Sequence, residues 1–130
     1  MFELRRGSMS VKGNQSRDMT GLDPEGKSQH ETGAKLDAGK MRAGLVLGDF
    51  ANALKLVCEV GTFGAEKYTP RGWLDVPNAE ERYEDAKERH LLERLSGDKF
   101  DQDSQLPHLA HEAWNALAVL ELQCRREGGE

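Results

Sequence analysis

Large apolar side chains are sparse and aperiodic before residue 45, and this limits what the chain can fold into. Seven of the 14 glycines fall in residues 1–44. Glycine loses the most backbone freedom on ordering, and a polar stretch offers little apolar area to offset that cost. The core of this 130-residue chain must therefore come mostly from residues 45–125. Hydrophobic residues make up 37% of the whole, which is low for a packed domain. The length suits one domain with part of the chain outside the core. Residues 1–32 are polar and aperiodic and are expected to be disordered. Residues 33–44 form a basic, glycine-rich arm opening a domain over 33–130.

Charge divides at nearly the same place. Residues 1–42 carry eight basic and six acidic side chains, a net +2, and the remainder carries −7. No apolar run approaches the roughly 18 residues of a membrane span, and the N-terminus lacks the apolar stretch of a secretory signal. Cys58 and Cys124 make neither a disulfide framework nor a zinc-ribbon spacing, which fits a reduced, cytoplasmic setting. A pI near 5.4 argues against a nucleic-acid polymer as partner. An acidic protein still reaches a polyanion when a divalent metal mediates the contact.

The periodicity predicts three helices and no strand, hence an all-α domain. The first runs from about Asp49 to Tyr68, with Phe50, Leu54, Val57, Cys58, Gly61 and Ala65 as its apolar stripe. The turn at Thr69-Pro70-Arg71-Gly72 ends it. The second runs from about Asn78, read as its cap, to Leu95, and Gly97 terminates it. The third starts at Pro107 and ends near Arg126. Three helices make a thin core, for which a homo-oligomer (dimer or tetramer) is the expected remedy.

The third helix carries two patterns. Leu109, Ala113, Ala116, Leu117 and Leu120 form an apolar stripe. His108, His111, Glu112 and Asn115 line nearly the opposite face, which continues into Val119 and Leu122. A helix apolar on both sides is expected to be buried on both. Polar groups on such a face need partners, and a metal with a phosphate ligand would supply them; a solvated or hydrogen-bonded core face is the plainer alternative. His111-Glu112-Ala113-Trp114-Asn115 is not a zinc-protease HExxH, because Asn115 stands where the second His belongs. On the first helix Glu59 and Glu66 lie two turns apart on one face, a spacing that suits Mg²⁺ or Mn²⁺ but also an ordinary solvated face. Arg82 and Arg89 share a face of the second helix, and His90 lies beside the Tyr83–Ala86 stripe. Lys35, Lys40, Arg42, Lys67 and Arg71 are cations of the kind that hold phosphate. The segment around Lys40 is no Walker loop, since no Ser or Thr follows the lysine and no strand precedes it.

Taken in order, these short motifs resemble a family. Gly33-Ala34-Lys35, Asp37, Gly39-Lys40 and Arg42 are followed by Glu59-Val60, Thr62-Phe63-Gly64-Ala65-Glu66-Lys67-Tyr68, Arg71 and Trp73. Then come Arg82-Tyr83, Ala86, Arg89-His90-Leu91, Gly97, Asp101, Ser104, Leu106-Pro107-His108-Leu109-Ala110-His111 and Asn115. The series is similar to the phage-type dATP/dGTP diphosphohydrolases, which belong to the MazG-like all-α nucleotide pyrophosphohydrolases. It departs from them at Gly72, Gln105 and Glu112, and lacks the full ExxE…ExxD carboxylate set of the broader group.

The resemblance implies a MazG-like helical bundle that hydrolyses a purine (deoxy)nucleoside triphosphate, dGTP or GTP first, to the monophosphate and pyrophosphate. It also implies a phage role in supplying 2-aminoadenine nucleotides. Two or more Mg²⁺ or Mn²⁺ ions would act as cofactors, with Glu59, Glu66, Asp101, His108 and His111 as ligands. Glu59 and Lys67 would be catalytic. Lys35, Lys40, Arg42, Lys67, Arg71 and Arg89 would contact phosphates, His90 and Asn115 would bond phosphate or orient a ligand, and Trp73 would either stack on the base or pack in a core or interface. Rival readings are a metal-dependent nucleotidase releasing orthophosphate and a non-catalytic helical interaction module.

Overall fold

The computed structural model describes residues 21–128. Of the segment expected to be disordered, residues 1–20 therefore lie outside the described part. The described residues divide into two compact units, one over 21–49 and the other over 50–128.

In the first unit, residues 22–35 fold around Asp23, which is buried. Its Oδ1 accepts the N–H groups of Glu25 and Lys27 at 3.0 and 2.7 Å, and its Oδ2 accepts that of Lys35 at 3.2 Å. The Lys27 bond leads the causes that hold the carboxyl below its ordinary value, with burial opposing. A short helix, α1 (Ala43–Asp49), follows. It is an element the sequence pattern did not signal, and none of its residues is buried.

The second unit is all-α, and no strand occurs among the described residues. Helix α2 spans Ala51–Lys67, a 3₁₀ turn spans Gly72–Asp75, α3 spans Ala79–Leu95 and α4 spans His108–Glu127. The three helices fall within a few residues of the expected spans. Helix α4 packs chiefly on α3 and also on α2. Asn78 precedes α3 as read, but its side chain makes no capping bond, because the residue sits in the left-handed region at φ 53°. At the other end Gly97, at φ 98°, closes α3 with a Schellman motif. Its N–H meets the Arg94 carbonyl at 3.1 Å, and the Asp98 N–H meets that of Glu93 at 3.1 Å.

The expectation that α4 is buried on both faces does not hold. His108, His111 and Asn115 are buried, while Leu109, Leu117 and Leu120 of the apolar stripe are 57, 49 and 47% exposed. Among the described residues the buried apolar side chains are Val60, Ala110 and Ala118, none of them large. α3 and the loop before α4 supply polar partners for the histidine face, and among the described residues no other helix of the second unit buries the leucine face.

Candidate functional site

A cleft of about 960 Å³ opens between the C-terminal part of α2, the 3₁₀ turn, α3, the loop after it and the first turns of α4. It is built entirely within the second unit. Trp73, Tyr83 and Trp114 form one wall, each edge-on to the others with centroids 5.5–6.2 Å apart. The Tyr83 hydroxyl donates to the Trp73 carbonyl at 3.2 Å, which ties the 3₁₀ turn to α3. Trp114 reaches α2 because residue 61 is glycine: a Cβ there would lie 3.1 Å from its Nε1.

Lys67, Arg71, Arg82 and Arg89 also line the cleft. The Lys67 ammonium meets Asp103 Oδ2 at 2.6 Å, and this bond leads the causes that raise its pKa. Arg71 takes the left-handed conformation at φ 62°, the sharp turn that leads from α2 into the 3₁₀ turn.

The remaining side of the cleft is a cluster of imidazoles and one carboxylate. His90 and His111 stack with centroids 4.3 Å apart and planes 9° from parallel. Behind them His108 Nδ1 lies 2.8 Å from His90 Nδ1. His111 Nε2 meets Ser104 Oγ at 2.7 Å and lies 3.7 Å from Asp101 Oδ2. Ser104 Oγ also accepts the Leu106 N–H at 3.2 Å, so its proton is free to go to His111. Asp101 Oδ2 accepts the Ser104 N–H at 2.8 Å. Burial pushes His90 down to about 4, with His111 and His108 adding and Asp101 opposing. Burial lowers His111 as well, against Asp101. For Asp101 burial acts upward, but the two Ser104 bonds with His111 and His90 outweigh it and hold the carboxyl below its ordinary value. At neutral pH His90 and His111 are therefore uncharged beside an ionised Asp101.

Asp101, His90, His111, Lys67, Arg71, Trp73, Arg89 and Asn115 all line this cleft, as do Asp85 and Asp103. Asn115 directs its Nδ2 to the His111 carbonyl at 2.8 Å, spending its donor on its own helix. His108 is buried behind the cleft lining. Glu59 and Glu66 are exposed on α2; neither lines the cleft nor joins a group of three possible metal-ligand atoms. Lys35, Lys40 and Arg42 belong to the first unit. Glu112 is bound by Arg94 through two bonds of 2.7 and 3.0 Å. Sequence reasoning missed Tyr83, Asp103 and Trp114 as cleft residues. They lie on three separate elements, and no spacing along the chain signals their meeting.

Among the described residues, two groups of three hold their possible ligand atoms within 4.8 Å of one another: His90 with Asp101 and His108, and Glu93 with Asp98 and His108. His108 Nε2 is buried and makes no hydrogen bond. Such an orphaned buried nitrogen beside carboxylates is what a metal ligand looks like before the ion is added. The donor set, imidazole with carboxylate, suits Mn²⁺ as well as Mg²⁺.

No curated protein and no solved structure matches the chain. Among the described residues no helix is long and apolar enough to cross a membrane. Residues 30–130 match the family described as dATP/dGTP diphosphohydrolase, N-terminal, and the chain belongs to that family.

Proposed function

We propose that the chain hydrolyses dATP or dGTP to the nucleoside monophosphate and pyrophosphate in the cleft between α2, α3 and α4. The observation that carries this reading is the pairing, in one cleft, of an aromatic wall with four cations and an ionised Asp101. A nucleoside triphosphate has the matching parts: a flat apolar base, a polyanion and a need for a fixed carboxylate at the reacting end.

Trp73 offers the base a stacking surface, with Tyr83 and Trp114 fixing its angle. Arg71, Arg82 and Arg89 hold the phosphate oxygens by bidentate bonds, and Lys67 adds a point charge. Asp101 and incoming phosphate oxygens would together hold a divalent ion, Mg²⁺ or Mn²⁺, with His90 beside it and His111 3.7 Å from the same carboxylate. Such an ion, when bound, neutralises phosphate charge and acidifies a water. Water then adds across the α–β phosphoanhydride and pyrophosphate leaves. His111, kept neutral, is held by Ser104 beside the Asp101 carboxylate and shapes the end of the cleft where that water would sit. The cations stabilise the charge that grows on the leaving group.

The exposed leucine face of α4 supports a further part of the reading, that two or more copies associate through it. Size-exclusion chromatography with light scattering checks it, and a monomer at tens of micromolar would contradict it. The activity is tested with a panel of dNTPs and NTPs plus Mg²⁺ or Mn²⁺, products being separated by chromatography. Pyrophosphate with a deoxypurine monophosphate is expected. Orthophosphate alone would instead identify a nucleotidase, and no turnover would favour a non-catalytic module.

A further inference from the structure

His108 has two ring nitrogens, and they face different neighbours. Nδ1 lies 2.8 Å from His90 Nδ1, on the side of the cleft. Nε2 lies 3.8 Å from Asp98 Oδ2, too far for a hydrogen bond, and is left without any partner although the residue is only 4% exposed. Leaving a buried nitrogen unpaired costs free energy, so its persistence calls for an explanation.

The local backbone brings two carboxylates to that nitrogen. The Schellman motif at Gly97 folds Asp98 back against Glu93 through the Asp98 N–H to Glu93 carbonyl bond. The loop is then fixed to α4 by the His108 N–H, which donates to the Lys99 carbonyl at 2.9 Å. Asp98 Oδ1 accepts the Phe100 N–H at 3.3 Å, and the other oxygen is the one facing His108. Glu93, Asp98 and His108 thereby present three ligand atoms within 4.8 Å of one another. Neither Glu93, Asp98 nor His108 lines the nucleotide cleft.

We propose that Glu93, Asp98 and His108 Nε2 form a second metal site, outside the cleft, that takes a divalent transition-metal ion of the Zn²⁺ or Mn²⁺ kind. One imidazole with two carboxylates favours these ions over Mg²⁺, which prefers oxygen alone. Exposed Glu93 and half-exposed Asp98 leave room for waters to complete the coordination. The site also has a consequence for the cleft. A ring bound through Nε2 carries its proton on Nδ1, so His108 donates to His90 Nδ1. His90 then carries its own proton on Nε2 and serves the cleft as a donor to phosphate. The outer ion would thus fix the tautomer of a residue it does not touch.

The test uses the full chain stripped of metal with a chelator and titrated with Zn²⁺ alone, with calorimetry and metal counting after gel filtration. The double variant Glu93→Gln/Asp98→Asn keeps the shape of both side chains and one acceptor oxygen on each, enough for the Phe100 N–H to Asp98 bond. It is expected to bind one Zn²⁺ fewer per chain than the wild type and to lose the part of the Zn²⁺-induced rise in Tm that this ion supplies. Asp101→Asn is expected to retain that equivalent. Circular dichroism matching the wild type confirms that both variants fold. The proposal is overturned if the double variant binds as many Zn²⁺ ions as tightly as the wild type. It is equally overturned if the wild type binds none, or if Asp101→Asn is the variant that loses the ion. None of these readouts depends on nucleotide turnover.

Discussion

The two faces of α4 invert the usual order of a globular helix. The face bearing His108, His111 and Asn115 is turned inward, and the face bearing Leu109, Leu117 and Leu120 stays about half exposed. Burying these rings is offset in part by partners: Ser104 for His111, His90 for the Nδ1 of His108, and a stacked ring for His90, while His108 Nε2 stays unpaired. The inward face has thus gained preorganised polar groups instead of apolar area. The outward face holds the apolar area that a chain with so small a core would be expected to bury. The inward face is suited to chemistry and the outward face to association, and each assignment can be broken separately.

The largest expected effect is on the inward side. Arg89 lines the cleft two turns along α3 from Arg82. Arg89→Ala should lower kcat/KM for dGTP by about 100-fold, the order seen when one donor to a developing charge is removed. A change of less than threefold, measured by pyrophosphate release, would take the phosphates out of this cleft. Next is the packing that supports the aromatic wall. Gly61→Leu places side chain where Trp114 Nε1 lies only 3.1 Å from the added Cβ. It should cost about 1–3 kcal/mol by urea unfolding and shift the tryptophan emission. An unchanged spectrum would mean that Trp114 does not pack on α2.

A smaller effect follows from the buried imidazoles. His90 is depressed to about 4 and His111 is lowered too, from an ordinary value of 6.5. The unfolded chain therefore takes up protons first as the pH falls. The stability these groups contribute is complete above about pH 6.5 and is lost progressively toward pH 4. The Tm of metal-free protein should drop by several degrees between pH 7.5 and pH 5, and a flat or rising Tm would mean that the histidine face is solvated. The smallest effect on the chain itself is expected on the outward side. Leu117→Glu should change monomer stability by no more than about 0.5 kcal/mol, as for other exposed positions. By light scattering it should shift any assembly toward the monomer, and an unaltered assembly would place the interface elsewhere.

The helices were legible because their caps and breaks are local. Gly97, Pro107 and the turn at Thr69–Gly72 mark ends that depend on the backbone of a few residues. The polar row on α4 was also legible as a row, as was the shared face of Arg82 and Arg89. What could not be read was which face of α4 turns inward, since that depends on what α3 and the loop present to it. The short α1 escaped because it has no buried stripe. The capping role read for Asn78 failed because its backbone is left-handed, which no single residue announces. Gln105 illustrates the same limit from the other side. It is one of the positions where the chain departs from the resembled family, and it takes φ 63°, a conformation glycine adopts without cost. The site was legible in the residue types of Asp101, His90 and His111, and illegible in the convergence of Trp73, Tyr83 and Trp114.

The chemistry proposed for the inward face of α4 runs through Asp101. The most direct measurement is the turnover of dGTP with saturating Mn²⁺ by Asp101→Asn, set beside its Tm. Asparagine keeps an oxygen to accept the Ser104 N–H but removes the charge. For a catalytic Asp101, kcat falls by about 100-fold or more while the Tm stays within a few degrees of the wild type. Turnover within threefold of the wild type would contradict that role.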